Sequence, residues 1–345
     1  MFKKTMIALT FGALVLAGGA DGAAAKTLKL QTSQNSGDFT FKYLSEVWAP
    51  RVKLMSGGSL ELELLPTKAV VPHRETIDAV ANGILDGDLN AVAYFAGRDP
   101  VFAMMGDLIA GYDNPDQVQM FCENGGGKQV LQAAYDKILK GNVHVIGCGP
   151  YTREALVSTK PIRTVADFAG VKIRSPEGLA AEVFKRAGAS PVAIPFSEVY
   201  TSLEKGIVDA ADASAYVNND ATGLHKIGKY PIYPGIHSQA VLQFIVNKNV
   251  WGKLSEGEQT ILNTWYLAAY SDLRRHADMK DRVMVANDKA GKGTVTEVID
   301  WAQEERDKFR EIARGAWEDF SKKSELAQMA YDAHVKFMRA YGLLK

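Results

Sequence analysis

The order in which strand-length and helix-length apolar patterns follow one another from residue 26 to residue 93 leaves this chain little freedom of fold. Residues 26–32 alternate polar and apolar side chains, which predicts a strand ending in the loop Ser33-Gln-Asn-Ser-Gly37. Residues 39–55 place Phe41, Leu44, Val47, Trp48, Val52 and Met55 at helical spacing, and Gly57-Gly58 then breaks the helix. Residues 60–64 alternate again, residues 73–86 carry Ile77, Val80, Ala81, Ile84 and Leu85 at helical spacing, and residues 87–93 make a third strand. Strand, helix, strand, helix, strand in that order predicts a parallel α/β unit, because parallel neighbours need crossovers of helix length.

The rest of the chain extends the pattern. Short helices are predicted over 114–127 and 129–139, then a strand over 142–147, with the chain leaving the first unit near Gly149-Pro150. Residues 151–237 hold a second alternating unit: strands at 152–158, around Arg174, at 191–194 and at 210–212, and helices at 178–187, 197–205 and 220–227. Residues 237–247 form a strand that returns to the first unit. A helical pattern over 255–286 opens on Ser255-Glu-Gly-Glu258, the sequence of a capping box. At about 30 residues it would be about 45 Å long, enough to run across both units. Two more amphipathic helices are predicted over 300–318 and 324–341.

Residues 1–25 read as a leader. Lys3 and Lys4 give a positive start, residues 6–17 an apolar stretch too short for a bilayer, and Ala23-Ala24-Ala25 a small-residue cleavage site before Lys26. An exported protein cut after Ala25 is the expectation, in a periplasm. The chain balances 40 basic against 40 acidic residues, and losing two lysines and one aspartate with the leader keeps it near neutral. That argues against a nucleic-acid partner. The six histidines show no HExxH spacing, no GxSxG elbow is present, and Asn124-Gly-Gly-Gly-Lys128 lacks the ending of a phosphate loop. No enzyme is expected, and no cofactor. Cys122 and Cys148, the only cysteines, are either a disulfide, which an oxidising compartment permits, or two buried thiols.

The run Pro161-Ile-Arg-Thr-Val-Ala-Asp-Phe-Ala-Gly-Val-Lys-Ile-Arg174-Ser-Pro-Glu177, followed by Gly188-Ala-Ser-Pro-Val-Ala-Ile-Pro-Phe196-Ser-Glu-Val-Tyr200, resembles the ligand-binding core of TRAP-transporter solute-binding proteins, the DctP family. The resemblance covers nearly the whole chain after the leader. It implies an α/β, two-lobe, periplasmic-binding-protein-like clamp of type II character with a long helix spanning both lobes. The lobes would be 26–150 plus 238–280 and 151–237 plus 281–345. The last Arg of G-x-K-I-R, here Arg174, would grip an organic anion, for which a planar, permanently charged fork of donors is suited. The partners implied are a small organic anion and the TRAP membrane permease subunits; the oligomeric state is left open.

Further candidates follow from the same resemblance. Phe196 would line the pocket. Asp212 stands where the subgroup binding 2-oxo acids with a cation has Glu-Trp; here the pair is Asp212-Ala213, which keeps a carboxylate for a sodium or calcium ion but loses the ring. Tyr216 and Asn218 are polar liners, the other reading of the stretch being an Asx-type helix cap at Asn219 or Asp220. His237, at the return crossing, could donate to the anion. Glu154 could hold an ammonium group on the ligand, and neighbouring Arg153 could face the same way or the opposite one. In the first lobe, residues 93–102 offer Tyr94, Phe95 and Arg98 as a cover, with Gln34 and Asn35 beside them. The ligand expected first is a 2-oxo or 2-hydroxy carboxylate, then a sulfonate or aminosulfonate, then an aromatic acid. An ABC-type binding protein and a periplasmic ligand sensor are the other readings.

Overall fold

A computed structural model describes residues 25–236 and 238–344. The leader therefore lies outside the described residues except for Ala25, and so does His237. Among the described residues no helix is long and apolar enough to cross a membrane.

Two sheets organise the molecule. The first has five strands in the order β2-β1-β3-β9-β4, with β1 at Lys26–Thr32, β2 at Leu60–Leu65, β3 at Gly87–Leu89, β4 at Val143–Pro150 and β9 at Val241–Asn247. β1 runs parallel to β2 and β3, while β9 enters antiparallel between β3 and β4. Every residue of β9 is buried, as a central strand covered on both faces requires. Gly87 faces Ile245 so closely that a Cβ would stand 2.4 Å from that carbonyl oxygen, so only glycine fits.

The second sheet orders β5-β8-β6-β7, with β5 at Val157–Ser158, β6 at Lys172–Ser175, β7 at Ser190–Ala193 and β8 at Ala210–Ala211. β6 is parallel to β7 and β8. Helices Leu179–Arg186 and Val199–Glu204 make the crossovers. The predicted strand at 152–158 is reduced to its last two residues, and residues 152–155 run without regular structure into β5. The helix predicted over 73–86 is held to Thr76–Ala81, stopped by Gly83 at φ +75°. The helix predicted over 220–227 lies earlier, at Tyr216–Ala221.

The long helix, Glu256–Lys289, has 34 residues, about 51 Å. Its capping box forms: the Ser255 hydroxyl accepts from Glu258 N–H and the Glu258 carboxylate from Ser255 N–H. It packs on β4 and on the helical run that begins at Phe39, then reaches Tyr216–Ala221 beside the second sheet, and so spans both lobes. Helix Gln303–Ser321 lies against Leu179–Arg186. Helix Glu325–Tyr341, which the sequence reading grouped with the second lobe, packs against Val101–Gly106 and Gly127–Ile138 on the first sheet's side. Cys122, on helix Pro115–Asn124, and Cys148, in β4, are joined in a disulfide with Cα atoms 5.7 Å apart.

Candidate functional site

Arg174 is the third residue of β6 and 3% exposed. Its side chain is fixed by backbone acceptors from the strand's own surroundings. Nε donates to Ile194 O at 2.7 Å, just past β7, and Nη1 donates to Asp212 O at 2.5 Å, just past β8. The guanidinium thus sits at the carboxyl ends of parallel strands, where α/β folds present side chains to ligands. Two carbonyl oxygens do not exhaust its five N–H groups. The remainder border a cavity of about 50 Å³ whose wall includes Gln34, Tyr94, Glu154, Phe196 and Asn218.

The first sheet supplies the opposite wall. A single 3-10 turn, Val92–Phe95, follows β3 and carries Tyr94 to the cavity. The Tyr94 hydroxyl accepts from Phe196 N–H at 3.2 Å and lies 3.5 Å from Arg174 Nη2. His73 meets the Tyr94 ring edge-on, with ring centroids 4.6 Å apart, and burial, followed by the charge of Arg74, lowers its pKa to about 4. Neutral imidazole therefore backs the phenol at neutral pH. Asn218 Oδ1 accepts from Phe39 N–H at 2.8 Å. At the surface, Arg74 pairs with Glu177 at 2.5 Å and Lys68 with Glu198 at 3.1 Å. Apart from the His73–Tyr94 pair, each of these contacts joins a residue from the first sheet's side to one from the second's, so the cavity is closed over.

Acidic groups cluster where the chain crosses between sheets. The Tyr151 hydroxyl donates to Glu154 Oε1 at 2.6 Å and lies 3.0 Å from Ser214 Oγ. Burial, then the charge of Asp212 and a hydrogen bond to its carboxyl group, pushes the Glu154 carboxyl well above its usual range and toward its neutral form. Asp107, another wall residue, accepts from Ser238 Oγ–H and from Gln239 N–H on the returning segment. The irregular path of 152–155 settles the orientation left open by the sequence: Glu154 faces this cavity and Arg153 does not.

Three candidates fall elsewhere. Phe95 is buried in the core against Phe102, because a 3-10 turn rotates each residue by about 120° from the last and sends Phe95 away from Tyr94's direction. Arg98 lies beyond the turn and pairs with Asp78 at the surface. Tyr216 is fully buried and donates to Asp288 Oδ2 at 2.5 Å, tying its helix to the long helix rather than meeting a ligand. Asp212 serves the site through its backbone oxygen and its contact with Glu154. Tyr151, Asp107 and His73 escaped sequence reading. Asp107 had a usable signal: it is the one charged residue within the apolar stretch Met104-Met-Gly-Asp-Leu-Ile-Ala110.

Comparison with known proteins places this geometry. Residues 30–323 match the family model for bacterial extracellular solute-binding proteins, family 7 (DctP). The chain is similar to a TRAP periplasmic solute binding protein from Rhodobacter sphaeroides, solved in an apo open form. The two are 40% identical, 92% of this chain and 99% of that one are covered, and the TM-score is 0.75. A monocarboxylate 2-oxoacid-binding periplasmic protein from Nostoc sp. is 25% identical over 299 residues, 86% of this chain and 79% of that protein. A TRAP periplasmic solute binding protein from Pseudoalteromonas atlantica, solved with bound sodium and pyruvate, is 23% identical and shares the fold. That match has a TM-score of 0.78 and covers 92% of this chain and 95% of that one.

Proposed function

The chain belongs to the bacterial extracellular solute-binding proteins of family 7, and from that premise we propose that its cavity takes a small carboxylate of the 2-oxo or 2-hydroxy acid class for delivery to a TRAP-type permease. The observation that carries the reading is Arg174: a buried guanidinium with its orientation fixed by two carbonyl oxygens and its unused donors at a closed cavity. A carboxylate meets that fork with two charge-assisted hydrogen bonds, which strengthen once water is excluded. The Tyr94 hydroxyl, beside Arg174, is placed to reach a second oxygen on the adjacent carbon. Phe196 and Leu242 supply apolar wall for a short carbon chain.

In this reading the solute favours the closed arrangement, because Tyr94 and Arg174 come from different lobes and only closure lets both touch it. The lobes of this reading are 26–150 plus 238–280 and 151–237 plus 281–345, and helix Gln303–Ser321 touches both Val101–Gly106 and Leu179–Arg186. No bond is made or broken, so no catalytic group is assigned. Export to the periplasm with cleavage after Ala25 belongs to the same reading.

A sodium or calcium ion beside the anion, such as related structures solved with pyruvate contain, belongs to the same reading. Burial, then the charge of Asp212, holds the Glu154 carboxyl toward its neutral form, and a cation beside the two would favour the ionised form instead. Among the described residues no group of three or more His, Cys, Asp or Glu is suited to hold a metal ion.

A thermal-shift screen against small carboxylates and sulfonates, with and without sodium and calcium, tests this. A ligand at one hundred times its dissociation constant stabilises the fold by about 2.7 kcal/mol. A carboxylate hit that disappears in Arg174→Ala supports the assignment, and a hit that survives that substitution refutes it.

A further inference from the structure

The segment that carries Tyr151 and Glu154 to the cleft also borders a second, larger cavity of about 300 Å³. Thr152 and Arg153 form one side, the start of helix Pro115–Asn124 another, and the Arg274 to Arg282 stretch of the long helix the third. Four arginines line it, Arg153, Arg274, Arg275 and Arg282, against three aspartates, Asp116, Asp278 and Asp281.

The acids present are already engaged. Asp116 pairs with Arg274 at 3.5 Å, and Asp278 pairs with Arg282 at 2.9 Å. Asp281 accepts from Val217 N–H at 2.7 Å, and burial raises its pKa to about 7. That leaves Arg153 and Arg275 without a carboxylate partner among the described residues. Arg153 donates through Nη2 to Asp113 O, but its buried Nε has no hydrogen-bond partner. Thr152, 2% exposed, likewise has a buried Oγ1 without a partner. Two adjacent residues thus bring unsatisfied donors to one wall of a cavity, a costly arrangement that an acceptor in the cavity would relieve.

We propose that this cavity is a second anion site, in which Arg153, Arg275 and the Thr152 hydroxyl hold a small oxyanion of the phosphate type. Arg153 and Arg275 come from two different elements, the crossing segment and the long helix, so their guanidinium groups can meet separate oxygens of a tetrahedral anion, and a hydroxyl supplies the third donor. The anion bridges the crossing segment to the long helix, and so braces one of the connections on which the lobes turn. This site is independent of the cleft and of the solute it takes.

Titration calorimetry with inorganic phosphate on the whole protein at low ionic strength tests it. Saturable binding of one phosphate is expected, weakened at least about tenfold by Arg275→Gln and by Arg153→Gln, and unchanged by Arg174→Ala. Arg275 is exposed and has no ion pair among the described residues, so that variant decides the matter even where Arg153→Gln folds poorly. Absence of saturable binding at millimolar phosphate overturns the proposal. So does binding that Arg174→Ala abolishes and Arg275→Gln leaves intact, which places the anion in the cleft.

Discussion

Arg174 and Tyr94 stand on opposite walls of one cavity and are held in opposite ways. The guanidinium is locked by backbone carbonyls at the ends of β7 and β8, within a single sheet, and needs nothing from the other lobe to keep its shape. Tyr94 takes its place through contacts that cross the cleft, to Phe196 N–H and the edge of Arg174. One wall is prepared in advance and the other is completed on closing. The contrast teaches that affinity resides mainly in the second lobe, while the first contributes closure through several small terms.

The sharpest way to break this division is Arg174→Ala. It leaves the solute's carboxylate buried without a counter-charge and should cost about 2 kcal/mol or more of binding, measured by calorimetry with the solute found in the screen. An affinity within a factor of two of wild type would place the grip elsewhere.

Glu154→Gln probes the same wall through pH. The folded Glu154 pKa is raised, so its contribution to stability is fully present below the unfolded value near 4.5 and is lost as pH rises through the folded value. Glutamine does not titrate. The variant should therefore gain at least about 1 kcal/mol relative to wild type between pH 5 and pH 8 in urea unfolding. A constant difference across that range would mean that Glu154 is not held near neutrality by Asp212.

On the closing wall the effects should be smaller. Tyr94→Phe keeps the ring against His73 and removes only the hydroxyl, so binding should weaken by about 1 kcal/mol with fold stability unchanged. A loss as large as that of Arg174→Ala would erase the division between the walls. Least of all, Lys68→Met should lower affinity by about 0.5 kcal/mol or less, and the difference should vanish in high salt, since both ends of the Lys68–Glu198 pair are about half exposed.

The architecture was legible in the chain because alternation of period 2 and period 3.6 survives in it. The capping box at Ser255 and the parallel pairing of β1 with β2 and β3 appear where those patterns predict them. Boundaries were less legible where a glycine or a tertiary contact cuts an element short, as at Gly83. Within the site, Arg174, Glu154, Phe196, Asn218, Gln34 and Tyr94 all border the cavity. Choosing Tyr94 over Phe95 depends on the rotation of one 3-10 turn, and local sequence cannot supply that. Asp107 was missed because its partner, Ser238, comes from the returning segment, and Tyr151 because residues 152–155 depart from the predicted strand and turn its hydroxyl onto Glu154.

The bonds from Tyr94 to Phe196 and from Phe39 to Asn218 have one more consequence, in time rather than in energy. A solute behind them escapes only while they are broken. The rate at which the lobes part is then a ceiling on release that every solute shares, however weakly Arg174 holds it. Whatever speeds that parting at the permease would shorten the residence of all cargo alike.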